Sequence, residues 1–126
     1  MTMVRCLALF LLFTSSAWAE SPAGRWLTEA DKKGQVAHVE ARACGSAWCG
    51  TIVRVYDANG AQVNAPTVGK RVFWDMTGGG NLYQGRAYVP AHNRSYAARM
   101  EMQGDRMRVS GCAGPLCLSQ MWRRVR

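Results

Sequence analysis

The sequence predicts an all-β fold, a single antiparallel up-and-down barrel of about eight strands. Three observations predict it. Short β-branched or alternating runs recur along the chain with turn residues between them. No stretch leaves room for a long helix. Sequential hairpins that close on themselves also remove the unpaired edges such a chain would otherwise expose.

The strands follow in order. Gly24 to Thr28 opens the barrel. In Val36 to Ala43, Ala37, Val39, Ala41 and Ala43 share one face, and His38, Glu40 and Arg42 share the other. That period of two marks a half-buried strand. Thr51 to Tyr56 is β-branched and stops at Asp57-Ala58-Asn59-Gly60, whose Asn and Gly tolerate positive φ. Ala61 to Lys70 reads as loop. Arg71 to Met76 is a strand stopped by Gly78-Gly79-Gly80. Leu82 to Val89 is broken at Pro90, and Pro90 to Arg94 reads as a turn. Ser95 to Met102 alternates, with Tyr96, Ala98, Met100 and Met102 on one side. Gln103-Gly104-Asp105 is a hairpin turn. Arg106 to Ser110 returns with Met107 and Val109 inward, and Leu118 to Val125 closes the chain.

The N-terminus has the layout of a secretory signal peptide. Arg5 supplies its charge, Leu7 to Phe13 its apolar stretch, and Ala17-Trp18-Ala19 its small-residue cleavage site. Residues 1–19 are therefore expected to leave after Ala19, and residues 20–126 to form one barrel domain in the periplasm. The apolar stretch is shorter than the roughly 20 residues of a spanning helix, so no transmembrane segment is expected.

The whole chain of 126 residues carries 16 Lys+Arg against 8 Asp+Glu, a net charge of +8. A basic exported protein meets anionic lipid head groups, surface sugars or acidic ligands. Nucleic acid is not an expected partner, because export separates the two.

Cys44 and Cys49 form one closely spaced pair, and Cys112 and Cys117 another. Three connectivities are possible. Local pairing, Cys44–Cys49 and Cys112–Cys117, closes two short loops beside Gly45 and Gly111; cross-pairing would tie early strands to late ones. A four-cysteine zinc site is the functional rival, but it suits a reducing compartment. A redox pair needs two intervening residues and a helix start, and neither is present.

Catalytic signals are weak. Ser119, His38 and His92 supply triad residue types without a nucleophile elbow. Glu29, Glu40, Asp57, Asp75, Glu101 and Asp105 include no pair that spacing singles out for glycoside cleavage. Met100 and Met102 put two thioethers on one face, a geometry open to Cu(I), yet their alternation with Tyr96 and Ala98 reads as core. No catalytic residue, metal or cofactor is assigned.

Several segments together resemble a bacterial family, domain of unknown function 2147. They are Gly24-Arg25-Trp26-Leu27-Thr28-Glu29, Cys44-Gly45 through Cys49-Gly50-Thr51-Ile52-Val53, Gly85 to Pro90 running on to Tyr96, and Gly111-Cys112-Ala113-Gly114-Pro115-Leu116-Cys117 through Val125. The resemblance implies a small exported protein with a lipocalin-like barrel and no assigned catalytic residues. Val89, His92 and Asn93 stand where that family commonly has an Asp before the proline and an acidic-Gly turn after it. The Gly24-x-Trp26 opening is also similar to the start of lipocalins. That similarity implies a structural role for Trp26 across the barrel floor, beneath Arg123 or Arg124.

The expected function is non-enzymatic binding of a small apolar, amphipathic or acidic ligand in the barrel mouth. Trp74, Tyr83, Tyr96 and Met100 are the candidate lining, with Arg86 or Arg99 meeting an acidic head group. The alternative is a structural or interaction protein of the cell envelope, docking a basic arginine surface onto an anionic component. An eight-stranded barrel can either fill with side chains or hold one small ligand, so the interior separates the two readings.

Overall fold

A computed structural model describes residues 21–126. The export signal read at residues 1–19 lies outside the described residues. The described chain is all-β apart from one turn of 3-10 helix, Pro90–His92.

Nine strands occur: β1 (Gly24–Leu27), β2 (Val36–Cys44), β3 (Ala47–Tyr56), β4 (Gln62–Val63), β5 (Arg71–Gly79), β6 (Leu82–Val89), β7 (Arg94–Gln103), β8 (Arg106–Ala113) and β9 (Leu116–Val125). All pairings are antiparallel. The order runs β2-β1-β9-β8-β7-β6-β5-β3, and a β2–β3 pairing closes the ring. Eight strands therefore form the barrel. The two-residue β4 pairs with the end of β3, inside the segment expected to be loop. Pairing of β1 with β9 brings the start and end of the described chain side by side.

Alternation decides which side chains enter the barrel. On β7, Ala98, Met100 and Met102 are buried, while Arg99 between them is exposed. Met107 and Val109 do the same on β8, with Arg106 and Arg108 outside. The pattern breaks on β5. There Asp75 takes φ 55°, and the register with β6 shifts between Trp74 and Thr77. This β-bulge lets Phe73 and Met76 share the core. A second register shift, against β3 between Gly50 and Thr51, lets Val72 join Phe73 there, and Trp74 is left only half-buried. Gly85 sits opposite the bulge. A Cβ there would lie 2.6 Å from the carbonyl oxygens of both Trp74 and Asp75, so only glycine accommodates the close approach.

The large apolar side chains gather toward one end. Trp26, Phe73, Met76, Met100 and Met107 are fully buried. Burying each such side chain contributes about 1.5–3 kcal/mol relative to exposure. Trp26 donates its indole N–H to the Pro22 carbonyl at 2.8 Å. The Arg124 guanidinium stacks on the Trp26 ring at 4.3 Å and donates to the carbonyls of Ala23 at 2.6 Å and Ser21 at 3.1 Å. This closes the floor, with Arg124 and not Arg123 above the tryptophan. Arg123 is exposed on the outer face of β9, opposite Arg106.

Candidate functional site

The other half of the barrel is not filled. Its inward positions hold small or β-branched side chains: Ala37 on β2, Val55 on β3, Val72 on β5, Ala87 on β6, Val109 and Gly111 on β8. Where the packed half has Trp, Phe and Met, this half has Ala, Val and Gly. The volume difference leaves a cavity of about 300 Å3 at the end of the barrel. Ligand pockets begin at roughly that size. Trp122 of β9 divides the two halves. It lines the cavity, and its ring lies 6.1 Å from that of Phe73 in the packed half.

Polar groups stand at the mouth. Thr28, Glu29, Asp31 and Gln35 come from the β1–β2 connection, and Gln120 comes from β9. Glu29 Oε2 accepts the Met121 backbone N–H at 2.7 Å, which ties that connection to β9. Asp31 Oδ1 accepts the backbone N–H groups of Lys33 at 2.8 Å and Gln35 at 2.9 Å, and this shapes the turn. Gln120 Oε1 accepts the Trp122 indole N–H at 2.8 Å. The 3-10 turn covers one side through Pro90 and Ala91. Asn93 ends it in the left-handed region at φ 48°, as an asparagine can.

The site residues expected from sequence lie elsewhere. Met100 and Tyr83 point inward but pair with each other in the packed half, where both are buried. Trp74 is displaced from the interior by the β5 bulge, and the Arg71 guanidinium stands 6.0 Å from its ring. Arg86 and Arg99 are exposed, because each alternates with buried neighbours, Ala87, Ala98 and Met100. They do not reach the cavity, so an acidic head group would not meet them there. Tyr96 is half-buried, and its hydroxyl lies 2.9 Å from His92 Nδ1. The cavity belongs to a set the sequence did not single out. Beside Ile52, Leu118 and Trp122, its apolar members are small residues scattered over five strands, and no local periodicity marks their shared level. Trp122 did lie within the C-terminal signature segment, but without a pocket assigned to it.

Both cysteine pairs are local disulfides, Cys44–Cys49 and Cys112–Cys117. Cys112 and Cys117 face each other directly across the β8–β9 hairpin. Cys44 and Cys49 bridge diagonally across the β2–β3 hairpin, where Cys44 faces Ala47 and Cys49 faces Arg42. The tight turns are at Gly45 (φ 63°) and Gly114 (φ 58°); Gly111 lies within β8 and lines the cavity. The second disulfide thus sits at the open end beside the cavity, and the first at the closed end.

The triad residue types do not converge on one another. Ser119 pairs its hydroxyl with that of Ser110 at 2.8 Å, and His92 contacts Tyr96. His38 sits beside Tyr56, with ring centroids 5.0 Å apart. It is less exposed than its place on a polar strand face suggested: its Nδ1 is buried without a hydrogen-bond partner among the described residues. Burial first, then the nearby Arg25 and Arg54, hold the imidazole pKa below its ordinary 6.5.

The basic side chains are spread around the barrel. Arg25, Arg42, Arg54, Arg71, Arg86, Arg99, Arg108 and Arg123 put an arginine on every one of the eight barrel strands. Glu40 pairs with two of them, Arg42 at 2.9 Å and Arg25 at 3.6 Å. Arginines thus occur all round the barrel, with Arg106 directly opposite Arg123 on β8 and β9. Among the described residues, no helix is long and apolar enough to cross a membrane.

The fold has a solved counterpart, described as "Protein HP1028 from the human pathogen Helicobacter pylori belongs to the lipocalin family". That structure superimposes with a TM-score of 0.66 over 84% of each chain at 14% identity. The likeness establishes a lipocalin-like barrel. No curated protein matches the chain by sequence. A family model described as "Uncharacterized protein conserved in bacteria (DUF2147)" matches residues 24–124, and the chain belongs to that family.

Proposed function

We propose that this protein is an exported, non-enzymatic carrier or receptor for one small amphipathic ligand, held in the open half of the barrel. The single observation behind this reading is the cavity of about 300 Å3 with an apolar wall and a polar mouth. A cavity of that volume lies at the small end of ligand pockets, which suits one small ligand. A barrel built only as a scaffold would gain stability by filling that space, since each unfilled volume forfeits contacts. Two disulfides, in a chain whose first residues read as an export signal, support an oxidising compartment such as the periplasm.

The test is mass spectrometry on the full chain expressed with its leader and recovered from the periplasm. The denatured mass is expected to lack residues 1–19 and to show four cysteine hydrogens lost. The native spectrum is expected to carry a reproducible adduct that leaves on denaturation. The variant Ala87→Phe, which fills the cavity, should fold and lose the adduct. An adduct that survives this substitution would place binding elsewhere.

A further inference from the structure

The cavity lining departs from the charge of the whole molecule. The chain has 16 Lys+Arg and 8 Asp+Glu, yet no Lys, Arg or His lines the cavity, while two carboxylates, Glu29 and Asp31, do. The neighbouring Lys32 and Lys33 are exposed and do not line it. Lys70 has its ammonium over the Tyr88 ring at 5.7 Å. Among the described residues, backbone hydrogen bonds engage one oxygen of each carboxylate, Glu29 Oε2 and Asp31 Oδ1. Each thus keeps an acceptor oxygen for a donor at the mouth.

We propose that the cavity selects amphipaths whose head group donates hydrogen bonds and carries no negative charge, an alcohol or a protonated amine on a short alkyl chain, and that it rejects carboxylates. This rests on the ligand-binding reading above and narrows it. A carboxylate head would enter an apolar cavity with no cation among its lining side chains and two like charges at its exposed rim, a repulsion that salt screens. An ammonium in the same place gains attraction from both. The wall itself, formed by Ile52, Val55, Val72, Val109 and Trp122, supplies affinity to the alkyl chain whatever the head.

Three probes of equal chain length separate these contributions: octylamine, octanol and octanoate, titrated at pH 7.5 and followed by tryptophan fluorescence. Trp122 in the cavity wall is the reporter, and loss of the signal in Trp122→Phe identifies the site. Octylamine is expected to bind at least about tenfold more tightly than octanoate, with octanol between them. The amine preference should shrink as salt rises from 0.1 to 1 M, while octanol binding should not weaken. The double variant Glu29→Gln/Asp31→Asn keeps the acceptor oxygens that hold Met121, Lys33 and Gln35. It should narrow the amine–carboxylate gap and leave octanol binding unchanged, which also reports that the barrel is intact. Octanoate binding as tightly as octylamine would overturn the head-group selectivity and leave the cavity reading standing. If the folded protein binds none of the three, the ligand-binding reading fails and this inference with it.

Discussion

Two single residues show how local chemistry is fixed by what lies across the sheet. Gly50 faces Phe73 in the β3–β5 register, and a Cβ at residue 50 would run into the Phe73 ring, which is fully buried. Gly50→Ala should destabilise the protein by about 1–3 kcal/mol, the usual range for overpacking a core. Gly79→Ala is the control. Its Cβ meets nothing within 4 Å, so its urea midpoint should stay close to wild type. Equal midpoints for the two variants would contradict the packing of Phe73 over Gly50.

His38 makes stability depend on pH in a definite direction. Its folded-state pKa is held below 6.5 by burial and by Arg25 and Arg54, so the unfolded chain takes up the proton first. The stability that neutral His38 confers is complete above about pH 6.5 and is lost as pH falls through the depressed folded-state value. Replacing the imidazole by a group that does not titrate, His38→Gln, should flatten the fall in urea midpoint between pH 7 and pH 5. Parallel curves for the two proteins would remove His38 as a cause.

At the scale of elements, the two disulfides close equally short loops at opposite ends of the barrel. Each has a sequence separation of 5, for which the loop-entropy model gives about 2 kcal/mol. Replacing either pair by serines should therefore lower stability by a similar amount, without unfolding a barrel whose strands are paired all the way round. Their effects on binding should differ. Cys112 and Cys117 directly flank Gly111 and Leu118 of the cavity wall, whereas Cys44 and Cys49 lie at the far end of β2 and β3 from the Ala37 and Val55 that those strands contribute. Ligand affinity should fall in Cys112→Ser/Cys117→Ser and hold in Cys44→Ser/Cys49→Ser; the reverse pattern would argue against binding at the open end.

The β5 bulge shows where strand reading from sequence reaches its limit. Arg71 to Met76 is recognisable as a strand, but strict alternation cannot place Val72, Phe73 and Met76 together inside. The register shift against β3 resets the parity between Val72 and Phe73, and the left-handed Asp75 does so between Phe73 and Met76, in space supplied by Gly85 on the neighbouring strand. That information is not local to β5. The same shift moved Trp74 out of the interior and with it one expected lining residue. Local pairing of the cysteines was legible, because both members of each pair lie on one hairpin.

At the scale of the whole molecule, barrel closure rests on Arg124 as well as on strand pairing. Its guanidinium joins the last strand to Ser21 and Ala23 ahead of the first and stacks on Trp26. Hydrogen bonds from a charged donor contribute about 1.5–3 kcal/mol. Arg124→Met keeps the aliphatic cover but loses these bonds, so it should lower the urea midpoint and speed hydrogen exchange at Trp26 and Leu27 first. Arg123→Met, on the exposed face, should do neither, and comparable losses in both would refute the floor assignment.

The sequence by itself determined the class of fold, the approximate number of strands, the two cysteine pairs and the pairing of Trp26 with a late arginine. The first three follow from nearest-neighbour chemistry: a period of two, turn residues at fixed offsets, short loops. The contact of Trp26 with a late arginine follows from the resemblance of the Gly24-x-Trp26 opening to lipocalins. Only the tertiary structure decided which half of the barrel is packed and which is hollow. The cavity exists because small residues on five strands meet at one level. Strand tilt, register and the β5 bulge set that level, and none of these is written in any single segment. Tyr83 and Met100 looked like a ligand lining because they are large and inward, yet size is what made them fill the packed half. The space for a ligand is left where side chains are small.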